Sequence, residues 1–324
     1  MSLVETIGNL QGDDKIVDNT SLVSSIIIFF NAEQFFEEAI ASVLAQTYQH
    51  WELLLADDGS TDGSTAIAQK YAQIYPEKIR YLEHEDHQNR GMSATRNLGI
   101  RHAKGAYIAF LDADDVWLPH KLKQQVEIMQ SQPEAGMIYG KSLYWHSWTG
   151  DPEDLQRDYI PDCYVKAETL YHPPSLLTLC YPLGGAIPPP PTDIMLRSTT
   201  VKELGGFEAG FQNIYQLYED QAFFAKLYLK FPVFVTDHCW DQYRQHAESC
   251  DSVVHQAGKY HTVRLFFLNW LENYLSEQKV VDSQVWDALN RALFPYRYPI
   301  LHQLKSQTKR FIERTKKIKK LIAR

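Results

Sequence analysis

From Val23 to about Tyr144, short apolar runs alternate with stretches in which apolar residues recur every three or four positions. The first pattern suits a strand buried on both faces, the second a helix laid on a sheet. Ser24-Ser25-Ile26-Ile27-Ile28-Phe29-Phe30 predicts a first strand, and Phe36, Ala39, Ile40, Val43 and Leu44 a helix after it. Trp51–Ala56 predicts a second strand. Ser60 or Asp62 is placed to cap a helix running to about Tyr75. Ile79–Glu83 reads as a third strand, Ser93–His102 as a helix closed by Lys104-Gly105, and Ala106–Leu111 as a further strand. Pro119 introduces a helix over His120–Ser131, and a strand follows near Met137–Tyr144. Repeated βα alternation of this kind predicts an α/β fold with a doubly wound, mostly parallel sheet flanked by helices.

Beyond Gly150 the rhythm changes. A region rich in proline and aromatic residues contains the run Asp193–Leu196 and a helix-like stretch, Asp220–Leu229. Val263, Phe266, Phe267, Trp270, Leu271, Tyr274 and Leu275 then form a helical stripe, and Val285–Phe294 another, so the last quarter is predicted to be a helical extension, either a capping subdomain or a dimer surface. The expected division is a loose leader over 1–20, a main domain over 21–250 (a nucleotide half, 21–120, and an acceptor half, 121–250) and a helical region with a basic tail over 251–324.

Two acidic clusters interrupt the apolar pattern, each directly after a strand-like run: Asp57-Asp58-Gly59-Ser60-Thr61-Asp62 and Asp112-Ala113-Asp114-Asp115. If the two strands are parallel, both clusters lie on the sheet edge where open α/β folds bind ligands. Six carboxylates there repel one another unless a cation or a donor-rich ligand joins them. The net charge of −8 conceals an asymmetry, because Lys305–Arg324 holds nine Lys or Arg against the single acid Glu313. An acidic body of this kind argues against a nucleic-acid partner. Cys163, Cys180, Cys239 and Cys250 show no C-x-x-C spacing, which fits a reducing, cytoplasmic setting. No apolar run reaches the roughly 20 residues that span a bilayer.

A dinucleotide-binding domain also places an acid after its second strand. Here the first turn, Phe29-Phe30-Asn31-Ala32-Glu33, lacks the glycines that let a backbone approach a pyrophosphate. The phosphates must then be neutralised otherwise, and a divalent cation, Mn²⁺ or Mg²⁺, on Asp112-x-Asp114 would do it. Over Val23–Asp115 the chain resembles the family 2 glycosyltransferases of the GT-A fold. The resemblance is carried by Asn31-Ala32-Glu33, Ser42–Thr47, Trp51-Glu52-Leu53, Asp57–Asp62, Ala94-Thr95-Arg96-Asn97-Leu98-Gly99 and Gly105–Asp115, continuing to Trp117-Leu118-Pro119. Ile28 and Arg90 depart from it, standing where the family commonly has proline or threonine and glycine.

The resemblance implies that Asp58 accepts a hydrogen bond from the nucleobase, that Phe30 stacks on it, and that Phe29, Asn31 and Ala113 belong to the same nucleotide site. It implies that Arg96 reaches the nucleotide, that Asp112 touches ribose or metal, and that Asp114 is the direct metal ligand. Gly205-Gly206-Phe207-Glu208 and Tyr218-Glu219-Asp220 resemble the family stretch that ends in the catalytic base, here Asp220, with Glu219 supporting the acceptor. Tyr243-Arg244-Gln245-His246-Ala247-Glu248-Ser249 resembles the element whose histidine, here His246, completes the metal shell. Purely structural roles compete for some residues. Asp57 is expected to form a turn, Asp62 and Asp115 to cap helices, and Glu219-Asp220 can cap the helix they open.

The expected activity is therefore inverting transfer of a sugar from a nucleoside diphosphate sugar, a UDP-sugar favoured, to a glycan or lipid-linked hydroxyl acceptor in surface polysaccharide or glycolipid synthesis. The alternatives are a silent sugar-nucleotide or glycan-binding module and a sugar-nucleotide nucleotidyltransferase. The latter needs a basic, glycine-rich loop near the first strand that is absent. The tail from Leu304 through Phe311, Ile318 and Ile322 has an apolar side flanked by lysines. It either packs on the body or rests peripherally on the inner face of the plasma membrane.

Overall fold

The structure, a computed structural model, describes residues 21–305 and 307. The leader and most of the basic tail, including Phe311, Ile318 and Ile322, lie outside them. In chain order the elements are β1 (Val23–Phe29), α1 (Phe36–Leu44), β2 (Trp51–Asp57), α2 (Ser64–Ile74), β3 (Ile79–Glu83), α3 (Met92–His102), β4 (Tyr107–Asp112) and β5 (Val116–Trp117). There follow α4 (Lys121–Ser131), β6 (Met137–Trp145), β7 (Thr169–Tyr171), α5 (Ser175–Leu179), β8 (Met195–Arg197), α6 (Ser198–Leu204), α7 (Glu219–Lys230), β9 (Val233–Arg244), α8 (Cys250–Gln256), α9 (Tyr260–Glu277) and α10 (Ser283–Arg297).

The strands form one sheet in the order β3-β2-β1-β4-β8-β6-β9-β5, with β7 also on β9. The long pairings, β1 with β2 and β4, β2 with β3, and β6 with β9, are parallel, and the antiparallel ones span only two or three residues each. The mixed, mostly parallel sheet thus has the predicted form. Alternation along each strand divides the core in two. Ile27, Phe29, Leu53, Leu55, Ala109 and Leu111 face α1 and α4, whereas Ile26, Ile28, Leu54, Ala56, Ile108 and Phe110 face a second layer that contains α6, α7, α9 and α10. Both sides of the strands are covered, which is why their sequences are continuously apolar.

The helical extension shares that second core. Val263, Phe267, Leu271 and Leu275 of α9 and Val285, Leu289 and Leu293 of α10 are buried in one cluster with the sheet residues. α3 comes close to the sheet at Gly99, where a Cβ would stand 2.5 Å from Cγ2 of Ile26. No described helix is long and apolar enough to cross a membrane.

Candidate active site

Parallel pairing sets Phe29 opposite Asp57 and Ile28 opposite Asp112, so the ends of β1, β2 and β4 bring both acidic clusters to one sheet edge. The acids there do different work. Asp57 is fully buried and shapes its own turn: Oδ1 accepts from Ser60 N and Oδ2 from the hydroxyls of Thr65 and Tyr81. Asp62 takes Ser64 N and Glu33 N, fixing the entry to α2. Ser60 does not cap that helix; its hydroxyl accepts from Asn31 N.

Asp58 holds the loop before α3. Its carboxylate accepts from Arg90 N at 2.7 Å and from Gly91 N at 3.0 Å, and His84 Nε2 stands 3.8 Å away. Burial pushes its pKa up although these amides oppose the shift. Only main-chain groups of Arg90 and Gly91 are used. A side chain at position 90 in place of the family's glycine is compatible with this contact, whereas Gly91, at φ 85°, needs its glycine.

Phe30 ends β1 with 49% of its surface exposed and is free to cover a flat ligand. Phe29 is not. It is 3% exposed and stacks against Phe36 at 4.3 Å between ring centroids, because strand parity turns it into the core under α1. Its contribution to the site is the carbonyl that accepts Asp58 N. Asn31, at φ 50°, binds Thr61 N through Oδ1, and Ala113 is buried between Asp112 and Asp114 in the chain.

Arg96 also differs from expectation. Rather than facing a ligand, its wholly buried guanidinium joins two carboxylates, Nη2 to Asp112 Oδ1 at 2.8 Å and Nε to Glu219 Oε1 at 2.9 Å, between the rings of Phe110 and Phe207. Arg96 Nη1 and Glu219 Oε2 have no partner among the described residues. Through Arg96 the β4 motif is tied to the first turn of α7, where Glu219 is buried and Asp220 keeps some exposure. Burial, reinforced by the adjacent Glu219 charge, pushes the Asp220 carboxyl up to about 7. That is the range in which a carboxylate exchanges protons effectively near neutral pH.

Asp114 and His246 are 132 residues apart in sequence, and the fold brings Oδ2 and Nε2 to 2.9 Å. Two neighbouring ligands of an octahedral cation, with bonds of about 2.1 Å, stand about 3 Å apart, so this pair fits two positions of a hard divalent ion. Among the described residues no three His, Cys, Asp or Glu side chains form a metal cage, and Asp112 Oδ1 is already taken by Arg96. The remaining positions would fall to water and phosphate, the usual arrangement for Mg²⁺.

Further side chains brace this site. Arg244 stacks 4.4 Å from the ring centroids of both Phe35 and Trp145, donates to the Asp114 carbonyl at 2.6 Å and pairs with Glu38, so it buttresses Asp114 and His246. Asp115 is not a helix cap, since β5 follows it. It is buried, accepting from Arg244 N and from the Thr192 hydroxyl, and desolvation beside Asp114 and Asp112 pushes its pKa well up. Thr192 directly follows Pro188–Pro191, and its hydroxyl also accepts from Asp112 N.

Residues 24–177 match the family described as Glycosyl transferase family 2. Over this stretch, just under half of the chain, the sequence is similar to the family 2 glycosyltransferases. Over 124 residues it is 42% identical to the putative teichuronic acid biosynthesis glycosyltransferase TuaG of Bacillus subtilis (strain 168), covering 38% of this chain and 47% of that protein. Over 119 residues it is 40% identical to the Escherichia coli UDP-Glc:alpha-D-GlcNAc-diphosphoundecaprenol beta-1,3-glucosyltransferase WfgD, covering 37% of this chain and 45% of that protein. The matched stretch therefore spans less than half of either relative. The fold of S. aureus TarS 1–349, solved in complex with UDP, superposes with a TM-score of 0.58 at 18% identity, over 85% of this chain and 71% of that one. This likeness in fold covers more of the chain than residues 24–177.

Proposed function

We propose that the chain is an inverting, metal-dependent glycosyltransferase that moves a sugar from a nucleoside diphosphate donor, a UDP-sugar by preference, to the hydroxyl of a glycan or lipid-linked acceptor in surface polysaccharide or glycolipid synthesis. The observation that carries this reading is the pairing of Asp114 with His246 beside an Arg96 bridge that joins Asp112 to the helix bearing Asp220. WfgD and TuaG, by their names, support the UDP-sugar and the polymer class.

Asp114 and His246 hold Mn²⁺ or Mg²⁺, which when bound supplies positive charge to a departing diphosphate. Phe30 covers the nucleobase, Asp58 receives its hydrogen bond and holds the flanking loop, and Asp112 faces the ribose. Asp220 takes the acceptor hydroxyl proton as the oxygen bonds to the anomeric carbon. The bond from that carbon to the diphosphate breaks on the opposite face, and the electron pair leaves with the diphosphate. Glu219, neutralised by Arg96, fixes the start of α7 so that Asp220 keeps its direction.

The exposed Tyr298, Ile300 and Leu301, which lead into the basic tail, support a peripheral contact with an anionic membrane on the cytoplasmic side. The reading is tested by incubating the protein with UDP-glucose, UDP-N-acetylglucosamine and UDP-galactose and measuring UDP release with Mn²⁺. Release of UDP that disappears in Asp114→Ala while the circular dichroism spectrum is unchanged supports it. Undiminished release in that variant removes it.

A further inference from the structure

Beside His246 lies an open cleft of about 360 Å³ that Asp114 does not line. Its walls are the loop after β6, which contributes His146, Thr149, Asp154 and Arg157, and the segment after β9, which contributes Gln245 and Ser252. None of these has been given a part in donor binding. The cleft is braced before any ligand arrives. Asp158 accepts from His146 N, Ser147 N and the Ser147 hydroxyl, and Tyr144 and Tyr159 are joined by their main chains. Across the cleft Trp148 Nε1 donates to the Gln245 carbonyl, and the Ser252 hydroxyl donates to that of His246.

The chemistry of the lining narrows the occupant. Small-molecule pockets are as a rule largely apolar with a few polar groups, but here no Leu, Ile, Val, Phe or Met lines the space. An acyl chain would find only Ala247 and the carbon stems of polar side chains. The lining cation is matched by an anion, since Arg157 Nη1 is bonded to Asp154 Oδ1 at 2.7 Å, which gives a free phosphate no excess positive charge. What remains is a mixture of hydroxyl, amide, carboxylate and guanidinium groups that donate and accept at short intervals, the complement of a ring of sugar hydroxyls.

The cleft also leads toward the reaction centre. His246, the partner of Asp114, is one of its walls, and Ser252 lies on the first turn of α8. α8 packs against the turn Asn213–Tyr218, which runs directly into Glu219 and Asp220 at the start of α7. We infer that this cleft is a neutral-glycan subsite, which grips the sugar portion of the acceptor and leads its hydroxyl past His246 to Asp220. The inference rests on the proposed transfer reaction for the word acceptor, but the binding of a glycan there stands on the cleft itself.

Saturation-transfer NMR of the full chain with cellobiose, chitobiose and lactose, each with UDP and Mn²⁺ present, tests this, with UDP affinity measured in parallel by calorimetry. Saturation of at least one disaccharide is expected, with loss of at least tenfold in affinity in both Thr149→Trp, which fills the cleft, and Arg157→Ala, which opens its ion pair, while UDP affinity changes less than twofold. Disaccharide binding that survives in both variants overturns the inference, as does the absence of disaccharide binding from wild-type protein that binds UDP. A parallel fall in UDP affinity also overturns it, by making the cleft part of the donor site. If UDP fails to bind and a disaccharide binds in the cleft-dependent way, the subsite stands and the transferase reading fails.

Discussion

At the residue scale the site separates acids that act from acids that hold. Asp57, Asp62 and Asp115 spend their oxygens on nearby main-chain and hydroxyl groups, whereas among the described residues the carboxylate of Asp114 meets only His246 and that of Asp220 only its neighbour Gln221. Asp220→Asn should abolish transfer and leave nucleotide binding intact, and the wild-type kcat/KM should rise with pH through about 7 as the base ionises. The same shift predicts a stability effect of definite sign. Because the folded carboxyl holds its proton up to about 7 while an unfolded aspartate releases it near 3.8, this group contributes a loss of stability that grows from pH 4 to 7 and persists above. The Asn variant should therefore melt higher than wild type at pH 8 and alike at pH 4, read by thermal unfolding at both values. That Asp58 and Asp114 reach one sheet edge and that His246 meets Asp114 was legible in sequence, because each sits in a short ordered pattern. Phe29 was misread because two adjacent aromatics at a strand end cannot be told apart without knowing which face is covered. Arg96 was misread because its two partners come from elements 16 and 123 residues away.

At the element scale, the continuous apolar strands and amphipathic helices of the first half were legible from their periods, and the boundaries of β1 to β4 fell within a residue of expectation. β9 was not. Its twelve residues mix buried Val233, Phe234 and Val235 with exposed Asp237 and His238, and its pairing with β6 is broken by two register shifts, so no single period survives. Helix α3 gives a sharp test of packing against propensity. Alanine favours a helix over glycine by about 1 kcal/mol, yet Gly99→Ala places a methyl against Ile26 in a filled core and should destabilise the protein by about 1–3 kcal/mol in urea unfolding. The loop into α7 gives another. Gln216 Oε1 accepts Met92 N at 2.7 Å, next to the Gly91 amide that Asp58 holds, and the same turn ends at Glu219. Gln216→Ala should therefore weaken UDP binding and lower kcat together, whereas Gln216→Glu, which keeps the acceptor oxygen, should restore both in part.

At the scale of the whole molecule, the helical extension is part of the core. Arg264 of α9 donates to the Tyr181 hydroxyl, to the Pro182 carbonyl and to Tyr296 of α10, and Tyr181 in turn meets Tyr218 at 2.7 Å, one residue before Glu219. Phe267 stacks on Tyr218, and Phe266 on Tyr215. A chain ended after Gly258 would expose this aromatic face and the far layer of the sheet, and should fail to give a dispersed NMR spectrum. Burial of Arg96 ties the two halves in the same way. Arg96→Met leaves the buried Glu219 and the half-buried Asp112 without their cation and should lower stability by about 3–5 kcal/mol, seen as a fall in the urea midpoint. The claim on which the account turns is that Asp114 and His246, joined only by the complete fold, hold a divalent cation against a nucleoside diphosphate. Calorimetric titration of UDP, GDP, dTDP and CDP, each with and without Mn²⁺, into wild type, Asp114→Ala and His246→Ala tests it most directly. The account predicts Mn²⁺-dependent binding of UDP to wild type that falls at least tenfold in both variants. Binding of no nucleotide, or binding indifferent to Mn²⁺ and to both substitutions, would contradict it.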